Sequence, residues 1–180
     1  MNKIPAKIIN ITTSGGIALV DLETGGCSLS ALIVDAEELP VWLSPGADVL
    51  AVFKESELSI AVRLSGKISL RNRFPCKVTN INLGELLSVV ELRFGSFTIH
   101  SAITTRSVKS LELEIGTEVT ALIKANEISL IKQTESGKRK AENGKRKTES
   151  GKRKAESGKR KTESGKRKAE DGRKGGRVTR

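Results

Sequence analysis

Three short segments between residues 69 and 126 carry hydrogen-bond donors at spacings that suit a small oxyanion. Ser69-Leu70-Arg71-Asn72 precedes Phe74, Ile103-Thr104-Thr105-Arg106-Ser107 opens an interruption in a strand pattern, and Lys124-Ala125-Asn126 marks a turn between two strand-like runs. Together they offer the hydroxyls of Ser69, Thr104 and Ser107, the Lys124 ammonium, the Asn126 amide and main-chain N–H groups. A tetrahedral dianion has only acceptor oxygens, so its pocket needs converging donors and no facing carboxylate. A helix start at Thr104–Ser107 would add the favourable end of a dipole. A plainer reading stands beside this one: Ser69, Arg71 and Asn72 order a turn, and Lys124 is a solvated strand end.

The elements that position these segments come in two copies. Shifted by 70 positions, residues 1–61 lie on 71–131 without a gap and give sixteen identities over 61 positions. Average residue usage predicts roughly four. Asn2, Pro5 and Lys7 recur as Asn72, Pro75 and Lys77, while Lys54, Glu57 and Ser59 recur as Lys124, Glu127 and Ser129. In the second copy Val78–Ile81 and Leu86–Leu92 read as strands, and Gly95-Ser96 reads as a hairpin turn before an alternating run from Phe97. Thr104–Leu113 suits a short helix or tight loop rather than a strand, followed by strands at Val119–Ile123 and Ile128–Ile131. The first copy reads alike, with its helical insert at Glu37-Glu38-Leu39 and a turn at Ser44-Pro45-Gly46. Five short strands with a helical turn between the third and fourth describe an OB-like Greek-key barrel. The predicted fold is all-β: two tandem OB-like five-stranded barrels, 1–64 and 65–133, each with a short helical insert. A unit of about 65 residues buries too little surface to be robust alone, so pairing within and between chains is expected.

Composition narrows the function. The chain has 180 residues and a net charge of +11, but residues 134–180 hold nineteen Lys/Arg against seven Asp/Glu. Residues 1–133 hold thirteen against fourteen, so the body is near neutral. No run approaches the roughly 20 apolar residues of a membrane span, and Met1–Pro5 lacks the apolar stretch of a secretory signal. Cys27 and Cys76 are too few for a disulfide scaffold and form no CxxC pair, so they read as reduced packing residues of a cytosolic protein. One histidine and no tyrosine leave most acid–base and nucleophile–base constellations unassembled. His100, on an alternating strand, reads as a packed or surface residue, and Trp42 and Phe53 as core or interface anchors.

From Thr134 the sequence repeats every seven residues, with Lys138-Arg139-Lys140 and Lys145-Arg146-Lys147 as its first two basic triplets. No position holds an apolar residue large enough for a coiled-coil seam, and a glycine in every repeat costs about 1 kcal/mol of helix stability. The segment 134–180 is therefore expected to be a disordered basic tail. Its triplets make a polycation suited to nucleic-acid phosphate, the alternative being a solubilising repeat expansion.

The three donor segments resemble those of the molybdenum–pterin-binding (Mop, or TOBE) domain, the unit of the molbindins. That family's segments run Ser-Ala-Arg-Asn, then Ile-Thr-x-x-Ser-x-x-x-Leu-x-Leu, then Gly-x-x-Val-x-Ala-x-Ile-Lys-Ala-Ser. Here they stand as Ser69–Asn72, Ile103–Ser107 through Leu111 and Leu113, and Gly116–Asn126, with Leu70 replacing Ala and Asn126 replacing Ser. The likeness covers 69–131 closely and reaches 1–61 through the repeat. It implies a pair of OB-type barrels that bind molybdate or tungstate where two units meet; no covalent cofactor and no metal site is expected. Carried over residue by residue, it implies a site built from Ser69, Leu70, Arg71, Asn72, Thr104, Ser107, Lys124 and Asn126. The first unit departs further, because Met1 stands at the position of Arg71, and Val34 and Glu37 replace Thr104 and Ser107. A carboxylate at Glu37 would repel a dianion. Lys54 and Ser56 survive and are expected either to join a shared site or to be structural.

The chain lacks a Gly-x-x-x-x-Gly-Lys-[Ser/Thr] phosphate loop and an upstream helix-turn-helix segment, unlike larger proteins that carry this domain. The expected protein is a cytoplasmic, non-enzymatic, homo-oligomeric binder of molybdate or tungstate without a membrane partner, serving intracellular molybdenum storage, homeostasis or transport. The alternative is an OB-type nucleic-acid-binding protein whose tail contacts phosphate. Four Phe and one Trp, mostly in apolar contexts, offer that alternative few faces for stacking bases.

Overall fold

The computed structural model describes residues 1–133; the basic heptads and the expectation of disorder for 134–180 lie outside the described residues. Ten strands form two five-stranded antiparallel sheets. The first repeat supplies β1 (Asn2–Ser14), β2 (Ile17–Thr24), β3 (Cys27–Ile33), β4 (Asp48–Phe53) and β5 (Ser59–Ala61). The second supplies β6 (Asn72–Asn82), β7 (Leu87–Phe94), β8 (Phe97–Thr104), β9 (Glu118–Ile123) and β10 (Ser129–Lys132), with helix α1 (Thr105–Ser110) after β8. A 3-10 turn precedes each fifth strand, at Glu55–Glu57 and at Ala125–Glu127.

Period-two burial builds each sheet. Asn2, Ile4, Ala6 and Ile8 of β1 face inward, and their counterparts Asn72, Phe74, Cys76 and Val78 do the same in β6. Both long strands slip register at the same repeat position, between Ile8 and Asn10 and between Val78 and Asn80. A bulge there bends and twists the strand, so one strand can serve both halves of a coiled sheet. The architecture is thus all-β, with two OB-like units.

The fifth strands are exchanged. β5 pairs with β9 of the second repeat, Ile60 opposite Ala121, and β10 pairs with β4 of the first, Leu130 opposite Ala51. The sheet orders are β10-β4-β1-β2-β3 and β5-β9-β6-β7-β8. Sequence periodicity locates the strands but carries no information about this exchange.

The two repeats also share one apolar core. Phe53 of the first stacks on Phe74 of the second at 6.0 Å, and Phe74 meets Phe94 edge-on at 5.0 Å. The turn between β2 and β3 approaches these rings so closely that a Cβ on Gly25 would sit 3.2 Å from Phe94. Gly25 also has φ +55°, so the position favours glycine both sterically and conformationally.

The helical insert expected around Glu37–Leu39 is not a helix: residues 34–46 form bends and turns. Asp35 takes a left-handed φ of 54°, and Pro40 stands where α1 has Ser110, so neither the start nor the end of a helix can form. The second insert does form a helix because Thr104, extended at φ −63°, ψ 145°, caps it by accepting from Ser107 N. Among the described residues no helix is long and apolar enough to cross a membrane.

Candidate functional site

Strand register decides which donors meet. β6 starts at Asn72, opposite Ile123 of β9, so Arg71 and Lys124 emerge side by side at one end of the second sheet. At the other end Asn82 opposes Val89, and Leu87 opposes Thr104. Ten residues of extended strand span about 33 Å, so the start of α1 lies at the far end of its own sheet from Arg71 and Lys124. The second unit therefore brings together the first and third segments, while the segment with Thr104 and Ser107 stands apart.

Contacts between the repeats regroup these segments. The Asn72 side chain donates to Ser30 O at 2.9 Å and accepts from Ser30 N at 2.7 Å, clamping the end of β6 onto β3. The 3-10 turn after Lys124 packs on the same strand. Asn2 makes the equivalent clamp on β8, donating to His100 O and accepting from His100 N, both at 2.8 Å. The turn containing Ser56 packs on β8, where Ser101 Oγ donates to Leu58 O. Lys54 and Ser56 thus share β8 with Thr104, and Arg71, Lys124 and Asn126 share β3 with the strand that leads to Val34 and Glu37.

Each donor has a distinct state. Ser69, Arg71, Lys54, Ser56, Lys124 and Asn126 are exposed, and Leu70 is half-buried. Asn72 is 1% exposed, and its amide and carbonyl are both engaged by Ser30, so its side chain positions the segment. Asn126 Nδ2 donates to Glu127 Oε1 at 3.1 Å, and Ser56 Oγ to Glu57 Oε1 at 3.2 Å. The Ser56 hydroxyl has its one proton engaged in this bond, whereas the Asn126 amide has a second N–H beyond it. Thr104 Oγ1 and Ser107 Oγ lie 2.8 Å apart, so these hydroxyls converge. Two of the main-chain donors expected at this helix start are already engaged, Thr105 N by Leu86 O and Ser107 N by Thr104 Oγ1.

Some contributors were not singled out by sequence. Arg73 donates from Nε to Leu70 O and from Nη2 to Ile68 O, folding the 68–70 carbonyls back and orienting Ser69–Arg71. Nothing in a linear pattern reports a loop that returns on its own strand. Arg106 and Lys109 line a cleft of about 530 Å³ with Thr104, Thr105 and Glu85. Their spacing of three on a helix places them on one face, a signal that was available. Beneath them the buried Thr105 hydroxyl donates to Gly84 O and lies 2.7 Å from Ser88 Oγ, fixing the base of α1. Among the described residues no group of three or more His, Cys, Asp or Glu could hold a metal ion.

Comparison with known proteins bears on the family and the fold. Residues 68–130 match the model of the TOBE domain. The molybdenum-pterin-binding protein MopB of Rhodobacter capsulatus is 32% identical over 132 residues, covering 72% of this chain and 49% of MopB. This chain thus spans about half the length of the curated relatives it matches over both repeats. A probable molybdenum-pterin-binding protein of Haemophilus influenzae is 36% identical over 63 residues, which is 91% of its length. Among solved structures, the cytoplasmic molybdate-binding protein ModG, crystallised with molybdate bound, superposes with a TM-score of 0.70 at 27% identity over 73% of this chain and 96% of ModG. With two repeats of the same sheet, the three donor segments and these relatives, the chain belongs to the molybdenum-pterin-binding family built on the TOBE domain.

Proposed function

We propose that this protein binds molybdate, or its analogue tungstate, reversibly through hydrogen bonds and charge neutralisation, without making or breaking a covalent bond. The observation that carries the proposal is the regrouping of donors. No single unit collects all three segments, whereas units in contact can place hydroxyls, an ammonium and N–H groups around one anion. Residues 1–64 and 65–133 are each one Mop/TOBE unit in this reading. The binding residues are Ser69, the Leu70 N–H, Arg71, Thr104, Ser107, Lys124 and Asn126, with Asn72 positioning the first segment and Lys54 and Ser56 contributing from the first unit. Sites lie at unit interfaces, and further copies of the chain complete those that one chain leaves open. The names of the relatives support molybdate over the nucleic-acid alternative. By the same analogy the protein works in the cytoplasm, storing molybdenum, buffering it or passing it on.

Isothermal titration with molybdate, tungstate, sulfate and phosphate tests this. Saturable heats are expected for molybdate and tungstate and weaker heats for sulfate; equal heats for all four, or none, would overturn the proposal. Lys124→Ala and Ser107→Ala should each weaken molybdate binding about tenfold or more, the loss of one charged or hydroxyl donor. Unchanged heats in both variants would remove the site.

A further inference from the structure

A second cationic cleft, of about 560 Å³, opens on the outer face of the second sheet, away from the donor segments. Its floor is a cross-strand row in which Lys77 of β6 stands directly opposite Arg93 of β7 on one side and Glu118 of β9 on the other. Arg63 and Leu64, from the segment after β5, complete its wall, and Pro75 is part of its lining. The first repeat has the same row with a different balance: Lys7 is flanked by Glu23 and Asp48. The Glu23 position has become Arg93, so two like charges now face each other across a ladder, an arrangement that is unfavourable without a counter-charge. Among the described residues the side chains of Arg63, Lys77 and Arg93 make no ion pair and no hydrogen bond. Arg63 also holds a left-handed φ of 51°, which a residue other than glycine rarely adopts.

We propose that this cleft binds the phosphoryl group of a small phosphorylated ligand. Three cations against one carboxylate favour a dianion. Two guanidinium forks beside an ammonium match the geometry of phosphate oxygens. The volume falls in the range that accommodates a small organic molecule, whose apolar part would rest on Leu64 and Pro75. This site is separate from the molybdate site and does not depend on it.

The test is a two-dimensional amide NMR titration of the full chain with inorganic phosphate and, separately, with adenosine monophosphate. Saturable shifts centred on Lys77, Arg93 and Thr120 are expected with both. Tighter binding of the monophosphate identifies an organic ligand resting on the apolar wall; equal binding identifies phosphate itself. Arg93→Glu restores the charge row of the first repeat, so it should fold normally, bind molybdate as before and weaken the phosphate response at least tenfold. Lys124→Ala should leave these shifts in place, which separates failure of this proposal from failure of the molybdate site. Non-saturating shifts spread over all basic residues, no shifts, or an unchanged response in Arg93→Glu would overturn it.

Discussion

Two asparagines 70 positions apart, Asn2 and Asn72, do the same work in opposite directions. Each is almost fully buried, and each satisfies both main-chain groups of one residue on the other repeat. Asn72→Ala leaves Ser30 N and O without those partners, which should cost about 2–4 kcal/mol in urea unfolding at pH 7. Cys76 makes a second residue-scale case. Burial pushes its thiol pKa from 9.0 up to about 12; a hydrogen bond with the Ala121 backbone pulls against this, and Cys27 adds to it. Because the folded state keeps its proton longer, the contribution of Cys76 to stability is fully present below pH 9 and is lost as pH rises towards 12. Cys76→Ala copies Ala6 of the first repeat and should flatten that decline, measured as the midpoint of urea unfolding between pH 8 and 11. The identity of Asn2 with Asn72 was legible in the sequence; their role as clamps was not. A polar residue at an inward position gives no sign of which strand it will satisfy until both sheets are in place.

At the scale of elements, local rules located most of the structure. Apolar and alternating runs found most strands at least in part, the Gly95-Ser96 turn joined β7 to β8, and the break in pattern from Thr104 marked α1. The first insert departed from its repeat because Asp35 and Pro40 override the resemblance locally. What local rules could not reach was partner choice, since β5 and β10 have the same length and pattern whichever β4 or β9 they join. Ile128, 3% exposed, anchors the entry to β10. Ile128→Ala should cost about 2–5 kcal/mol. Hydrogen exchange should then show faster opening of β4 amides in the first repeat, although the substitution lies in the second. Exchange confined to β9 would contradict the strand pairing. The same distance from local pattern is why the end of the sheet at which each donor segment stands follows from strand register and not from its order in the sequence. Their spacing along the chain is unrelated to their separation along β6.

For the molecule as a whole, exchanged strands, reciprocal clamps and a common phenylalanine stack leave no surface along which one repeat can melt alone. Urea unfolding followed by far-UV circular dichroism and by fluorescence of the sole tryptophan, Trp42 in the first repeat, should give superimposable curves. Two separated transitions would show that the repeats are independent. The proposed grouping of donors belongs to this scale as well: a ligand held between repeats would stabilise the folded state by mass action and so resist unfolding of both.

Because β5 must cross to β9 and the chain must then return to begin β6, residues 62–71 act as a tether that makes the crossing an internal affair. Shorten that tether enough and the same two strands can still find the same two acceptors, but only on a neighbouring molecule. An interlaced pair would then form at high concentration, with every strand contact preserved and only the ownership of the strands changed.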